Sequence, residues 1–153
     1  MWQIVCVGKI KQGYWREAAE DYSRRFGLWQ PLKIVELADE GAETPAQVQR
    51  AMEREGQRIL AALPAGAHVV LLDIDGRAMD SESFAAKVSD WRNLGRVCFV
   101  IGGSFGVSPS VRERANERIS LSKMTFPHAT ARALLCEQLY RAACIVQGRA
   151  YHK

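Results

Sequence analysis

The sequence lacks any run of apolar residues that is long enough to cross a membrane. A transmembrane helix needs about 20 consecutive apolar residues, and no stretch of the 153 residues approaches that length. The opening segment, MWQIVC, also lacks the charged-then-apolar order of a signal peptide. The sequence therefore predicts a cytoplasmic protein with no membrane partner.

Cysteine is sparse and shows no metal-binding spacing. None of the four cysteines belongs to a CxxC pair or has a histidine close to it in the sequence, so the usual spacing of zinc ligands is missing. We therefore expect buried free thiols and no bound metal. The four are Cys6, Cys98, Cys136 and Cys144.

A strong excess of charge is also missing, because the net charge is only +4. A modest positive charge favours an anionic partner without requiring one. A nucleic-acid surface assembled from several segments fits this pattern, and a solvated helix face explains any single cluster equally well. The clustered basic residues are Arg16, Arg24, Arg25, Arg112, Arg114, Arg118, Arg141, Arg149 and Lys153.

Short apolar runs alternate with segments of helical periodicity along the whole chain. Apolar or alternating runs predict strands at 3–8, 31–37, 68–74, 96–101 and 118–122. Periodicity of three and four residues predicts helices at 14–26, 45–63, 82–91, 109–116 and 129–146. Strands and helices in this order predict a single α/β domain over residues 1–153, with a mainly parallel sheet covered by helices on both faces.

Local signals predict where several of these elements begin and end. Thr44 followed by Pro45 is typical of a capped helix start, and Ser81 is a candidate cap for the third helix. Asp75 and Gly76 predict a turn directly after the third strand.

A glycine-rich turn, Gly102-Gly103-Ser104-Phe105-Gly106, follows the fourth strand. It could present backbone amides to a ligand at the carboxyl edge of the sheet, or it could be a tight turn without a ligand. Its spacing matches neither the GxGxxG dinucleotide motif nor a phosphate-binding loop with its lysine.

Three further features in the last third of the chain each allow two interpretations. The loop 120–128 mixes apolar and hydroxyl residues, so it could wrap a flat ligand such as an adenine or only cross the core. The helix 129–146 is apolar on much of its circumference, which suits an oligomer interface or the monomer's own core. The end, Tyr151-His152-Lys153, suits base stacking and phosphate binding, although chain ends are usually frayed.

Several segments together resemble the RlmH family of SPOUT-class RNA methyltransferases. They are FVIGGSFGVS at 99–108, LSKMTFPH at 121–128, EQLYRA at 137–142, YHK at 151–153, VGK at 7–9 and LDIDG at 72–76. The resemblance covers essentially the whole chain, with the motifs in the order and at the spacing of the family. Several joint motifs are more specific than any one of them.

The resemblance implies a fold detail, an assembly and a substrate. It implies a deep trefoil knot in the C-terminal half and a homodimer, with each active site completed near the partner subunit. It also implies S-adenosylmethionine as methyl donor and, as substrate, N3 of a pseudouridine in helix 69 of large-subunit ribosomal RNA on the assembled ribosome.

The same resemblance implies which residues form the site. The donor pocket is expected from Leu72, Gly102, Gly103, Leu121, Ser122, Lys123, Met124, Thr125 and Phe126. An imide nitrogen keeps its proton at neutral pH, so a base must remove that proton or positive groups must stabilise the anion. The candidates for this step are His152, Arg132 and Tyr151, with His128 and Tyr140 behind them.

Two other functions compete with this one. A non-catalytic ribosome-binding protein would keep the fold without turnover, which the absence of an obvious catalytic dyad allows. A different α/β enzyme could bind a nucleotide at the Gly102 turn, but the missing phosphate-loop lysine argues against it. Binding of S-adenosylmethionine discriminates between these functions and a methyltransferase.

Overall fold

A computed structural model describes all 153 residues and contains one five-stranded sheet. The strands lie in the order β2-β1-β4-β3-β5, and every neighbouring pair is parallel. The predicted α/β fold with a mainly parallel sheet is confirmed. The strands are β1 (Trp2–Val7), β2 (Leu32–Leu37), β3 (His68–Ala78), β4 (Val97–Ile101) and β5 (Glu117–Ser120).

Five helices cover the two faces of this sheet. Helices α1, α3 and α5 pack on one face and α2 and α4 on the other, so two apolar cores form. In β4, Phe99 faces the first core and Val100 the second, as the alternation of side chains along a strand requires. Burial on both faces explains why this strand is uninterruptedly apolar. The helices are α1 (Gly13–Gly27), α2 (Pro45–Ala62), α3 (Ser81–Arg92), α4 (Pro109–Arg114) and α5 (His128–Val146).

The starts of two helices test the predicted caps. Thr44 accepts a hydrogen bond from the Gln47 backbone N–H in a complete capping box, with Pro45 in the first turn, so that prediction is confirmed. The prediction for Ser81 is wrong. Asp80 is the cap of α3 and accepts from the Ser83 N–H at 2.7 Å, while Ser81 Oγ donates to Gln138 Oε1 on α5.

The predicted turn at Asp75 and Gly76 is wrong as well, because β3 continues to Ala78. Ile119 of β5 pairs first with Leu72 and again with Arg77, so residues 73–76 form a bulge between two stretches of pairing. A Cβ atom on Gly76 would lie 2.7 Å from the backbone of Ile119. Glycine is therefore required by the close approach of two strands.

Helix α5 packs between α1 and α3 of the same chain. The monomer's own core therefore explains much of its apolar character, and its use in a dimer stays a prediction. Its buried residues are Ala129, Arg132, Ala133, Leu135, Cys136, Leu139, Ala142, Ala143 and Cys144.

All four cysteines are buried and free, as predicted. Burial raises the pKa of the Cys6 thiol to about 11 and the pKa of the Cys98 and Cys136 thiols to about 12. These three thiols are therefore protonated at neutral pH and act as small apolar side chains. No helix of the protein has the length and apolar character needed to span a membrane.

Candidate active site

The β3 bulge and the loops that follow β4 and β5 enclose a cleft of about 580 Å³. It lies outside the carboxyl ends of the strands, where parallel α/β sheets bind their ligands, and its volume suits a small-molecule cofactor. These three segments converge because β4, β3 and β5 are neighbours and run in the same direction. The lining residues are 72–74, 101–104, 106, 107, 112, 120–122, 124–128 and 131.

Eight of the nine residues predicted to bind the cofactor line this cleft. The exception is Lys123, whose exposed side chain lies outside the lining. The loop that carries six of the nine is held by its own serines. Ser120 Oγ donates to the Ser122 carbonyl at 2.8 Å, and Ser122 Oγ accepts from the Met124 N–H at 3.0 Å.

The glycine-rich turn after β4 is both tight and part of the cleft wall. The Gly106 N–H donates to the Gly103 carbonyl at 3.1 Å, and Gly106 has a φ of +83° that favours glycine. A Cβ on Gly102 would lie 2.6 Å from Val107 Cγ1, and one on Gly103 would lie 2.7 Å from Glu55 Oε2. The turn therefore presents backbone to the cleft while its other side is packed against the core.

Glu55 is a buried carboxyl group behind this turn that the sequence analysis missed. Its Oε1 accepts from the Glu40 N–H at 3.0 Å, and its Oε2 has no hydrogen-bond partner. The signal was present in the sequence, because Glu55 lies four residues from both Ala51 and Ile59 on the buried stripe of α2.

Burial raises the pKa of Glu55, with the nearby Asp39 and Glu40 charges adding to the effect. A carboxyl group whose pKa is raised on folding favours the folded state in its protonated form. Ionisation of Glu55 therefore costs stability progressively as the pH rises from its unfolded pKa of about 4.3 through its folded pKa.

We expect Glu55→Gln to stabilise the protein by about 1 kcal/mol at pH 8 and to have little effect at pH 4.5, because glutamine removes the cost of a buried charge. Urea unfolding of both proteins across this pH range measures the difference. Glu53→Gln, an exposed position on the same helix, is the control and should show no such trend. A difference for Glu55→Gln that stays constant with pH would contradict the prediction.

Arg132 lies behind the cleft and ties α5 to the ends of β1 and β2. Its Nη1 donates to Glu36 Oε2 at 2.7 Å and its Nη2 donates to the Gly8 carbonyl at 2.8 Å. Partial burial alone would raise the pKa of Glu36, but the bond and the charge of Arg132 lower it. Arg132 does not line the cleft, and its catalytic role stays a prediction.

His128 does line the cleft, at the start of α5. Its ring lies so close to Gly8 that a Cβ there would be 2.9 Å from the ring. Burial, followed by the positive charge of Arg132, lowers the pKa of His128. The imidazole is therefore neutral at neutral pH, which is the form that can accept a proton.

The tail of the chain folds back on α5 and is anchored there. Tyr151 donates its hydroxyl to Glu137 Oε1 at 3.0 Å, and Arg141 donates to the same oxygen through two nitrogens. His152 Nδ1 lies 3.3 Å from Arg141 Nη1 and its Nε2 lies 3.8 Å from Glu82 Oε1. None of these residues lines the cleft of the same chain.

The environment of Tyr151 makes it a poor base in this conformation. Burial, followed by hydrogen bonds with Tyr22 and Glu137, raises the pKa of the Tyr151 phenol well above its ordinary value. Its ring packs edge-on against Tyr140 at 4.8 Å between centroids. Tyr151 therefore holds the tail in place, and this positions His152 beside it.

Comparison with known proteins gives concordant matches along the whole chain. The family model described as "Predicted SPOUT methyltransferase" matches residues 1–152. The ribosomal RNA large subunit methyltransferase H of Listeria monocytogenes serotype 4a is 45% identical over 99% of this chain and 98% of its own. The protein of the same name from Bacillus pumilus is 42% identical over 98% of both chains.

Solved structures share the fold at lower sequence identity. TrmJ from Z. mobilis ZM4 superposes with a TM-score of 0.55 at 19% identity, over 93% of this chain and 70% of its own. A probable methylase family protein from Haemophilus influenzae Rd KW20 gives a TM-score of 0.56 at 14% identity, over 99% of this chain and 70% of its own. These likenesses concern the fold alone.

Proposed function

This chain belongs to the SPOUT methyltransferase family, among the ribosomal RNA large subunit methyltransferases H, and we propose that it methylates N3 of a pseudouridine in helix 69 of large-subunit ribosomal RNA on the assembled ribosome. The observation that carries the proposal is the cleft at the carboxyl edge of the sheet, where the β3 bulge and the motifs after β4 and β5 converge. The proposed location is the cytoplasm.

The residues of the cleft fit S-adenosylmethionine as the methyl donor. Leu72, Leu121 and Phe126 provide apolar surface for the adenine, and the Gly102-Gly103 turn adds backbone without side chains to the cleft wall. When bound, the donor supplies a sulfonium methyl group that is already electrophilic. The protein's main contribution is to place the target nitrogen in line with that methyl group.

The proton on N3 must be removed by a base or the resulting anion stabilised by positive charge, and we propose His152 of the tail as the base. Because the tail contacts no cleft residue of its own chain, we propose that it acts in the cleft of a second copy within a homodimer. His128, neutral and inside the cleft of its own chain, is the alternative proton acceptor. Arg132 then serves to hold the Gly8 loop and α5 together.

The C-terminal trefoil knot remains a prediction that accompanies this proposal. It is supported by family membership. Proteins with knots are rare, so general rules of topology would predict an unknotted sheet.

Donor binding is the first test. Isothermal titration calorimetry with S-adenosylmethionine should show binding to the wild-type protein and about tenfold weaker binding to Gly103→Ala, because the new Cβ displaces the turn from Glu55 and Val7. Gly41→Ala, where a Cβ meets nothing within 4 Å, is the matched control and should bind normally.

Methyl transfer is the second test. Ribosomes that lack the modification should accept labelled methyl from S-adenosylmethionine, and joined ribosomes should be better substrates than free large subunits. Mapping the label to the pseudouridine tests the proposed position. Absence of both donor binding and labelling would refute the proposal and favour a non-catalytic ribosome-binding protein.

A further inference from the structure

Two arginines converge on one buried carboxylate beside the cleft. Arg112 Nη1 lies 3.2 Å and Arg118 Nη1 lies 3.5 Å from Asp73 Oδ2, whose side chain is only 3% exposed. The other oxygen, Oδ1, accepts from the Asp75 N–H at 3.1 Å. The carboxylate is therefore fixed by the β3 bulge and in turn orients side chains from α4 and β5.

This cluster, Asp73 with Arg112 and Arg118, carries a surplus of positive charge. One carboxylate neutralises only one of the two guanidinium groups, so a net charge of about +1 remains. The arginine side chains are 43% and 48% exposed, which leaves part of each guanidinium fork open to solvent. Since Asp73 already restrains them, less side-chain entropy is lost when they bind an anion.

The third arginine of this sequence cluster points elsewhere. Arg114 donates to the Ala67 carbonyl at 3.0 Å and to Asn116 Oδ1 at 3.2 Å. It therefore helps to attach the segment after α4 to β3. Of these three arginines, Arg112 and Arg118 are the two that lie beside the cleft with part of the side chain exposed.

Arg112 and Arg118 lie at the edge of the cleft, where the backbone of a bound RNA would pass. Asp73 and Arg112 line the cleft, and Arg118 is next to them on β5. A nucleotide whose base enters the cleft must leave its flanking phosphates at the entrance. A planar guanidinium fork matches the oxygens of a phosphate group and can bind two of them at once.

We propose that Arg112 and Arg118, oriented by Asp73, bind a backbone phosphate of the RNA next to the nucleotide that is methylated. The proposal rests on the proposed function and adds a substrate-binding site to it. A carboxylate on the donor is the other anion within reach of the cleft. Arg118 argues for RNA, because it lies outside the cleft lining and its exposed side faces solvent.

The test is the double variant Arg112→Gln/Arg118→Gln in the full-length protein with ribosomes that lack the modification. We expect KM for ribosomes to rise by roughly tenfold with kcat nearly unchanged, because phosphate contacts contribute equally to ground-state and transition-state binding. The slope of log affinity against log salt should fall by about 1, and Kd for S-adenosylmethionine should stay the same.

Two further double variants distinguish a specific phosphate-binding site from a non-specific effect of positive charge. Arg92→Gln/Arg96→Gln removes the same charge near the amino edge of the sheet, where Arg92 lies over Trp29 and Arg96 donates to the Ala65 carbonyl. This pair should leave KM for ribosomes within about twofold. Arg112→Lys/Arg118→Lys keeps the charge without the fork, so it should restore the salt slope and only part of the affinity.

Two outcomes would overturn the proposal. One is a wild-type KM for ribosomes and a wild-type salt slope in the glutamine variant. The other is a loss confined to donor affinity, which would assign Arg112 to the donor's carboxylate. Failure of the proposed function is a different result, because the wild-type protein itself would then transfer no methyl group.

Discussion

Replacing His152 with alanine is expected to lower kcat for methyl transfer by about 100-fold or more, because a positioned base contributes roughly 10² to 10⁴ to such rates. Kd for S-adenosylmethionine should stay nearly unchanged, since we expect the tail to meet the RNA and not the donor, and His152 belongs to no part of its own chain's cleft lining. Single-turnover transfer to ribosomes and calorimetry with the donor measure the two quantities. An equal loss of transfer rate and donor affinity would refute the prediction that His152 acts in catalysis and not in donor binding.

A matched histidine variant controls for the change of side chain. His68 lies at the amino end of β3, where its Nε2 is 2.9 Å from Glu117 Oε1. His152→Gln should be as inactive as His152→Ala, and His68→Gln should retain transfer activity. If His152→Gln kept full activity, the imidazole would not be the proton acceptor, and His128 would take its place.

Mixing Gly103→Ala with His152→Ala, at a donor concentration too low to fill the weakened cleft, tests whether the tail acts across subunits. In a heterodimer of Gly103→Ala and His152→Ala, one cleft is intact and faces the intact tail of the other subunit. A random mixture should therefore recover roughly a quarter of the wild-type activity if the tail acts on its partner. If the tail acts on its own cleft, no subunit has both parts and no activity returns.

Gly76→Ala is expected to destabilise the fold by about 3 kcal/mol, which is large for one methyl group. The added Cβ would lie 2.7 Å from the backbone N and C atoms of Ile119. Backbone atoms of a paired strand cannot rotate away as a side chain can, so β3 and β5 must separate. Urea unfolding followed by circular dichroism measures the loss.

The control for this variant is Gly41→Ala, which adds the same methyl group in open space and should change stability by less than about 0.5 kcal/mol. Because residues 73–76 form the bulge that carries Asp73, the Gly76 variant should also bind ribosomes more weakly at temperatures where it remains folded. A stability equal to that of the wild type would show that the bulge can move away from β5.

Local sequence patterns predicted the elements well because each pattern has a local cause. The apolar run of β4 follows from burial on both faces, and the start of α2 follows from the chemistry of Thr44 and Pro45. The errors at Gly76 and Ser81 have the opposite cause. Gly76 is required by its close approach to β5, and Ser81 donates to Gln138 on α5. Neither contact can be inferred from the neighbouring residues in the sequence.

The sequence likewise indicated some residues of the candidate site and missed others. Eight of the nine residues predicted to bind the donor line one cleft, because they lie at the β3 bulge or directly after β4 and β5 of a parallel sheet, and their role as a donor pocket stays a prediction. The resemblance did not indicate that Glu55 packs behind Gly103 or that the tail is anchored to Glu137. These contacts join segments whose patterns are unremarkable when each is taken alone.

By itself, the sequence determined the five strands and five helices, their parallel arrangement and the family to which the chain belongs. Only the tertiary structure decided which polar side chains meet. Asp73 and Arg118 are 45 residues apart in the chain, and Glu36 and Arg132 are 96 apart. Periodicity records contacts within one element, whereas these pairs depend on the order β2-β1-β4-β3-β5 and on the bulge against β5, which no local pattern encodes.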